Sequence, residues 1–134
     1  MLLNLLNKEE KTNFIELLKK TIVIDGPIND VEKNVIAKFQ AEMGEDIGKL
    51  RFGSTSTEKL IEYFANKPKG IKNIVYYNLF AASLIDDFYN VEEHLLLEQI
   101  QEAFQIPNKT KMELCKAVYA ERDLKEKIKR MIIE

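Results

Sequence analysis

The amino-acid sequence predicts an all-α protein, a compact bundle of helices built around one central apolar helix. Apolar residues recur with the period of an amphipathic helix through most of the chain. The few glycines and prolines, which end helices, fall between these periodic stretches. Residues 74–85 are apolar at all but two positions, which is typical of a helix buried on nearly all sides. This run is also much shorter than the roughly 20 apolar residues that cross a membrane, so no transmembrane segment is expected.

The composition fits one domain, residues 1–134. A chain of 134 residues buries a core without disulfides or metals. A net charge of -2 gives no reason to expect nucleic acid or an anionic membrane as a partner. The lone cysteine, Cys115, excludes an intramolecular disulfide and is typical of a reducing compartment. The first residues, MLLNLLNKEEK, make a poor signal peptide, so we expect a cytoplasmic protein.

In the first part of the chain the sequence predicts a short apolar lead and two helices. Residues 2–6 are expected to cap the core as an extra helical turn. A helix begins at Lys8, and the Asp-Gly-Pro segment at 25–27 ends it. Asn29 opens a second helix, which ends at Gly44. The apolar faces of these two helices contain Phe14, Leu18 and Ile22, then Val31, Val35, Ile36, Phe39 and Met43.

Two further helices are predicted in the middle of the chain. Residues 45–57 are the least determined stretch, where a loop and a short helical turn both fit 45–53. The TSTE sequence at 55–58 has the form of a capping box and opens a helix that ends before Pro68. The central apolar helix follows from about Ile71.

The last part of the chain predicts one helix followed by a helical segment. Asn90 opens the helix, and the Ile-Pro-Asn sequence at 106–108 closes it. Residues 109–134 are expected to form either one helix or two helices that break near Arg122 or Asp123. Their bases interleave with acids at helical spacing, so we interpret them as a solvated, ion-paired face.

Between residues 74 and 108 there is no lysine or arginine, and the six acids there predict an electronegative face.

An internal repeat aligns about residues 8–44 with about 70–106. Asp25 falls on Asp86 at a shift of 61 residues. The apolar stripes of the second helix of each copy coincide at this shift. We therefore predict two helical hairpins related by a pseudo-twofold axis. Chance agreement between amphipathic helices is the alternative.

The repeated turns carry a D-x-x-x-N-x-x-E pattern, DGPINDVE at 25–32 and DDFYNVEE at 86–93. Carboxylates are the ligands of hard divalent cations, so the paired turns predict a site for Ca²⁺, Mg²⁺ or Mn²⁺. The candidate ligands are Asp25, Glu32, Asp86, Glu93 and Asp87. The alternative is structural, because a glutamate three residues after an asparagine N-cap completes a capping box without any ligand.

These motifs resemble those of the TerB-like helical domains associated with tellurite resistance. The resemblance covers about residues 9–106. Its motifs are I-D-G at 24–26, Glu32 and V-I-x-x-F at 35–39, and then L-I-D-D at 84–87, Glu93 and L-L-x-x-I at 96–100. The resemblance implies an all-α fold of about seven helices with a pseudo-twofold axis. It also implies that Asp25, Glu32, Asp86 and Glu93 bind a divalent cation. The second copy departs from the pattern, since Asp87 replaces the usual Gly and Tyr89 a small aliphatic residue.

No motif of hydrolytic chemistry is present, because the chain has neither a phosphate-binding loop nor a nucleophile elbow. His94 is the lone histidine and is expected at the surface or half-buried, while Cys115 lies on an apolar stripe and is expected to be an inert thiol.

Together with this resemblance, the sequence predicts a non-enzymatic TerB-like domain that binds a divalent cation or a protein partner through its acidic turns. The resemblance implies a stress or tellurite-resistance setting in the bacterial cytoplasm. The alternative is a scaffold or immunity-type interaction module that uses an acidic surface without metal. That alternative predicts an exposed apolar patch ringed by Asp and Glu. A protein partner is expected in either case, and the sequence sets neither its identity nor the oligomeric state.

Overall fold

The computed structural model describes residues 2–22, 30–43, 55–85 and 91–134, together with the side chains in these ranges except those of 31, 32 and 85. Within these ranges a short 3-10 turn, Leu3–Leu5, precedes six α-helices, and there is no strand. The helices are α1 (Lys8–Ile22), α2 (Asp30–Met43), α3 (Thr57–Ala65), α4 (Lys69–Ile85), α5 (Val91–Ala103) and α6 (Asn108–Ile133). The predicted all-α class is confirmed. The count of about seven helices and the pseudo-twofold hairpins stay predictions.

Two helices, α1 and α4, form the centre of the bundle. α1 contacts α2, α3, α4 and α5, and α4 contacts α1, α3, α5 and α6. The apolar run of α4 is buried as predicted, with Val75 and Leu79 fully enclosed. α1 is enclosed as well, although Glu10, Lys11 and Glu16 are among its buried residues. The sequence predicted only α4 at the centre, because charged positions hide the burial of α1.

Polar contacts at the start of α1 explain how Glu10 and Lys11 are buried. Asn7 and Glu10 form a capping box, in which each backbone N–H donates to the other side chain at 2.8 Å. Glu10 also pairs with Lys67 beyond the end of α3, at 3.4 Å. The Nζ of Lys11 donates to the carbonyl of Met43, the last residue of α2, at 3.1 Å. The charges of α1 thus join it to its neighbours.

The N-terminal turn and α3 follow the sequence prediction closely. Leu3 and Leu6 are buried, so the apolar lead caps the core as expected. α3 has Ser56 as its N-cap, whose Oγ accepts a hydrogen bond from the N–H of Lys59 at 3.2 Å. The cap lies one residue later than the capping-box pattern suggested, since that pattern begins at Thr55.

α6 is one continuous helix of 26 residues, which decides between the two alternatives that the sequence left open. Only Val118 of this helix is buried. The apolar residues beyond it are exposed at the surface: Leu124, Ile128, Met131, Ile132 and Ile133. No helix in the described ranges has the length and apolar character that a membrane span requires.

Candidate functional site

The predicted cation site can be followed at one of its carboxylates. Asp25, Asp86 and Asp87 lie outside the described residues, and so does the side chain of Glu32. Glu93 lies in the first turn of α5 and is 5% exposed. Of the five predicted ligands, Glu93 is thus the one whose side chain the structure describes, and it is a buried carboxylate.

A second buried carboxylate, Glu16, was not predicted from the sequence. It lies between Ile15 and Leu17 on α1, is 6% exposed, and belongs to a helix that packs against α5. Its Oε1 atom accepts no hydrogen bond from any residue in the described ranges. Glu16 lies on the side of α1 opposite the stripe of Phe14 and Leu18, where a solvent-exposed side chain is the usual expectation, so no sequence pattern predicted its burial.

The structural interpretation of Glu93 also has support. Asn7 and Glu10 at the start of α1 have the same spacing as Asn90 and Glu93, and they form a capping box in which the glutamate is buried. Across the ranges that the structure describes, no three Asp, Glu, His or Cys side chains are grouped as metal ligands. Glu93 is therefore suited to capping, and a cation site would need the acids of the two turns in addition.

A cleft of about 370 Å³ lies between α2, α4 and α6. Its apolar lining comes from all three helices and includes Phe39, Ala81, Leu84 and Val118. Its charged residues are three of each sign: Lys38, Glu42, Glu121, Arg122, Lys125 and Glu126. The volume is at the lower end of the range for small-ligand pockets. Mixed charges around an apolar lining suit a small amphipathic ligand or a side chain of a partner.

One hydrogen-bonded chain crosses this cleft. The Tyr77 phenol donates to Glu121 Oε2 at 2.5 Å, and Lys125 pairs with Glu121 Oε1 at 3.1 Å. Burial and the adjacent carboxylate raise the pKa of the Tyr77 phenol. Burial alone would raise the pKa of Glu121, but its bonds to Tyr77 and Lys125 outweigh burial and lower that pKa. The network holds a neutral phenol against an ionised carboxylate.

The outer face of α5 combines exposed apolar and acidic residues. Val91 and Leu95 are 69% and 56% exposed. Glu98 and Glu102 follow them on the same helical stripe and are exposed as well. His94 lies next to this stripe, and its Nε2 atom is 3.0 Å from Oε1 of Glu98. Its side chain is half-exposed, so it is a surface residue as expected. We call the stripe of Val91, Leu95, Glu98 and Glu102 the α5 outer face.

Cys115 on α6 is half-buried. Burial raises the pKa of its thiol, although Lys111 and Tyr76 act in the opposite direction. Because the thiolate is the nucleophilic form, a raised pKa makes the thiol less reactive at neutral pH.

Comparison with known proteins adds no relative to this picture. No protein-family model, no curated protein and no solved structure matches the chain. The likeness to the TerB-like domains therefore rests on the motifs alone.

Proposed function

We propose that this chain is a non-enzymatic, TerB-like helical domain that binds a divalent cation through its acidic turns, in a stress or tellurite-resistance setting. The ligands would be Asp25, Glu32, Asp86, Asp87 and Glu93, with Glu16 as an addition from α1. Ca²⁺, Mg²⁺ and Mn²⁺ fit an all-carboxylate ligand set better than Zn²⁺ does.

The observation that carries this proposal is the buried Oε1 of Glu16, which has no hydrogen-bond partner in the described ranges. An ionised carboxylate removed from water costs several kcal/mol unless a positive charge or hydrogen bonds compensate it. The buried Glu93 lies on α5, which packs against α1. A divalent cation held by acids of α1 and α5 would compensate the Glu16 carboxylate.

Isothermal titration with each of the three cations tests the proposal. The parent should give saturable heat, and Asp25→Asn/Asp86→Asn and Glu16→Gln should each raise the dissociation constant at least tenfold. Glu58→Gln, an exposed position on α3, is the matched control and should behave as the parent. No heat and no rise in melting temperature at millimolar metal would remove the cation from the proposal.

Glu16→Gln also separates this role from a structural one. In EDTA the variant should be as stable as the parent or more stable, because an amide costs less free energy to bury than a carboxylate does. With cation present, the parent should gain stability and the variant should not. A variant that gains as much as the parent would show that Glu16 is not a ligand.

A second candidate function is a scaffold or immunity-type interaction module that needs no metal. The α5 outer face supports it, because exposed Val91 and Leu95 are followed by exposed Glu98 and Glu102. An apolar patch with adjacent acids fits a basic amphipathic partner. Purified parent should retain such a partner in an affinity experiment, and Glu98→Lys/Glu102→Lys should release it. Glu58→Lys/Glu62→Lys on α3, with the same charge change at exposed positions, should retain it.

A further inference from the structure

The end of α6 carries an apolar stripe that the rest of the bundle leaves uncovered. We call residues 122–133 the α6 extension. Its stripe residues are between 45% and 78% exposed: Leu124, Ile128, Met131 and Ile132. Their spacing of four, three and one places them on one side of the helix. Singly exposed apolar residues are common on protein surfaces, but a continuous stripe of four marks an interaction surface.

The α6 extension is basic. It contains five bases, Arg122, Lys125, Lys127, Lys129 and Arg130, against two acids, Asp123 and Glu126. By helical position, Lys125 and Lys127 flank the apolar stripe on opposite sides. Lysines in such positions cover the edge of an apolar contact with their stems and reach acidic groups with their ammonium ends. A surface that fits the α6 extension therefore combines exposed apolar residues with acidic residues.

The α5 outer face of the same protein has this character. Val91 and Leu95 provide exposed apolar area, and Glu98 and Glu102 continue the stripe with negative charge. The extension of 12 residues is about 18 Å long, and α5, with 13 residues, is about 20 Å long. The two surfaces match in length and are opposite in charge.

We propose that the α6 extension of one copy of this chain docks on the α5 outer face of a second copy. This inference rests on the second candidate function and names its partner. If each copy contributes both surfaces, the exchange closes into a twofold dimer with two equal contacts. Pairing of two α6 extensions is less favourable, because the flanking lysines would then face like charges.

Sedimentation equilibrium of the purified parent between 1 and 300 µM, at low and high salt, is the first measurement. We expect a monomer–dimer equilibrium whose dissociation constant rises at least tenfold from about 50 to 500 mM salt, since opposite charges contribute to the contact. A parent that is monomeric over the whole range overturns the inference. The parent can be monomeric and still bind a basic partner protein. If Glu98→Lys/Glu102→Lys then abolishes that binding, the second candidate function stands without self-association.

A charge exchange tests which surfaces meet. Lys127→Glu/Lys129→Glu reverses charge on the α6 extension, and Glu98→Lys/Glu102→Lys reverses it on the α5 outer face. Each variant alone should associate at least tenfold more weakly, because both surfaces then carry the same sign. All four positions are exposed, so the fold should be unaffected. Glu58→Lys/Glu62→Lys should dimerise as the parent does.

Mixing the two variants gives the decisive result. An acidic extension then meets a basic α5 face, and a basic extension meets an acidic α5 face, so a 1:1 heterodimer should form. A mixture that stays monomeric overturns the inference. A parent dimer that Glu98→Lys/Glu102→Lys leaves unchanged also overturns it and indicates pairing between α6 extensions.

Discussion

The Tyr77 phenol on α4 donates a 2.5 Å hydrogen bond to the Glu121 carboxylate on α6, and so joins the centre of the bundle to its last helix. Hydrogen bonds to charged groups are the stronger ones, and losing one leaves a half-buried carboxylate with fewer partners. We expect Tyr77→Phe to lower the free energy of unfolding by about 1 to 2 kcal/mol in urea denaturation. Tyr119→Phe, on an exposed ring of α6, is the control and should change it by less than about 0.5 kcal/mol. Equal effects of the two variants would contradict this role of Tyr77.

The stability difference between the parent and Tyr77→Phe should depend on pH at both extremes. The pKa of Glu121 is lowered in the folded protein. Its contribution to the free energy of unfolding is therefore present above the ordinary pKa of 4.5 and is lost as the pH falls through the pKa of the folded protein. The pKa of Tyr77 is raised, so its contribution is present below 10.0 and is lost as the pH rises toward the folded value. Urea denaturation across pH should show the largest difference between about 5 and 10 and a smaller one outside this window. A constant difference would mean that neither ionisation is linked to folding.

The helices could be predicted from the sequence because their signals are local. The apolar period and the turn residues at 25–27, 44 and 106–108 lie within each helix or next to it. The burial of α1 could not be predicted, because its charged residues depend on groups distant in the chain. Lys11 needs the carbonyl of Met43, and Glu10 needs Lys67. Local patterns therefore predict where a helix lies, and non-local partners decide whether its charges are buried.

The capping box of α1 leads to a prediction about its first turn. Asn7 and Glu10 each accept a hydrogen bond from the other's backbone N–H. Asn7→Ala removes one of these acceptors and should lower the free energy of unfolding by about 1 kcal/mol. Asn7→Ser, which keeps a capping oxygen, should recover most of this loss. Thermal denaturation of both variants measures the difference, and an alanine variant as stable as the parent would contradict the cap.

Gln105 ends α5 in a conformation that glycine adopts more readily. Its φ is 55°, and the bonds from Gln105 N–H to Glu102 and from Ile106 N–H to Gln101 form a Schellman motif. Gln105→Gly should raise the free energy of unfolding by up to about 1 kcal/mol, because it removes the strain of a side chain at positive φ. Gln99→Gly, inside the same helix and exposed, should lower it by about 1 kcal/mol. The sign of the first change is the test, and a destabilised Gln105→Gly would contradict it.

The candidate site was only partly predictable for a different reason. The position of Glu93 follows from helix-capping rules, which predict a glutamate in the first turn of α5. The burial of Glu16 depends on the helices that pack around α1, and no local pattern encodes that packing. The stripe at Leu124 and Ile128 shows a related limit. An amphipathic pattern predicts an apolar face, and it does not say whether that face meets the same chain or another one.

The exposure of the α6 extension predicts that it contributes little to the stability of the monomer. Leu124 and Ile128 are exposed, whereas Val118 on the same helix is buried. At about 1 µM protein, Leu124→Ala and Ile128→Ala should each change the free energy of unfolding by less than about 0.5 kcal/mol, and Val118→Ala should lower it by about 1 to 2 kcal/mol. At several hundred micromolar, where a dimer would stabilise the folded state by mass action, the first two variants should melt below the parent. Calorimetry at both concentrations measures this difference. Losses at Leu124 comparable to that at Val118 in dilute solution would mean that the extension packs on its own bundle, and the stripe would then not be available to a second copy.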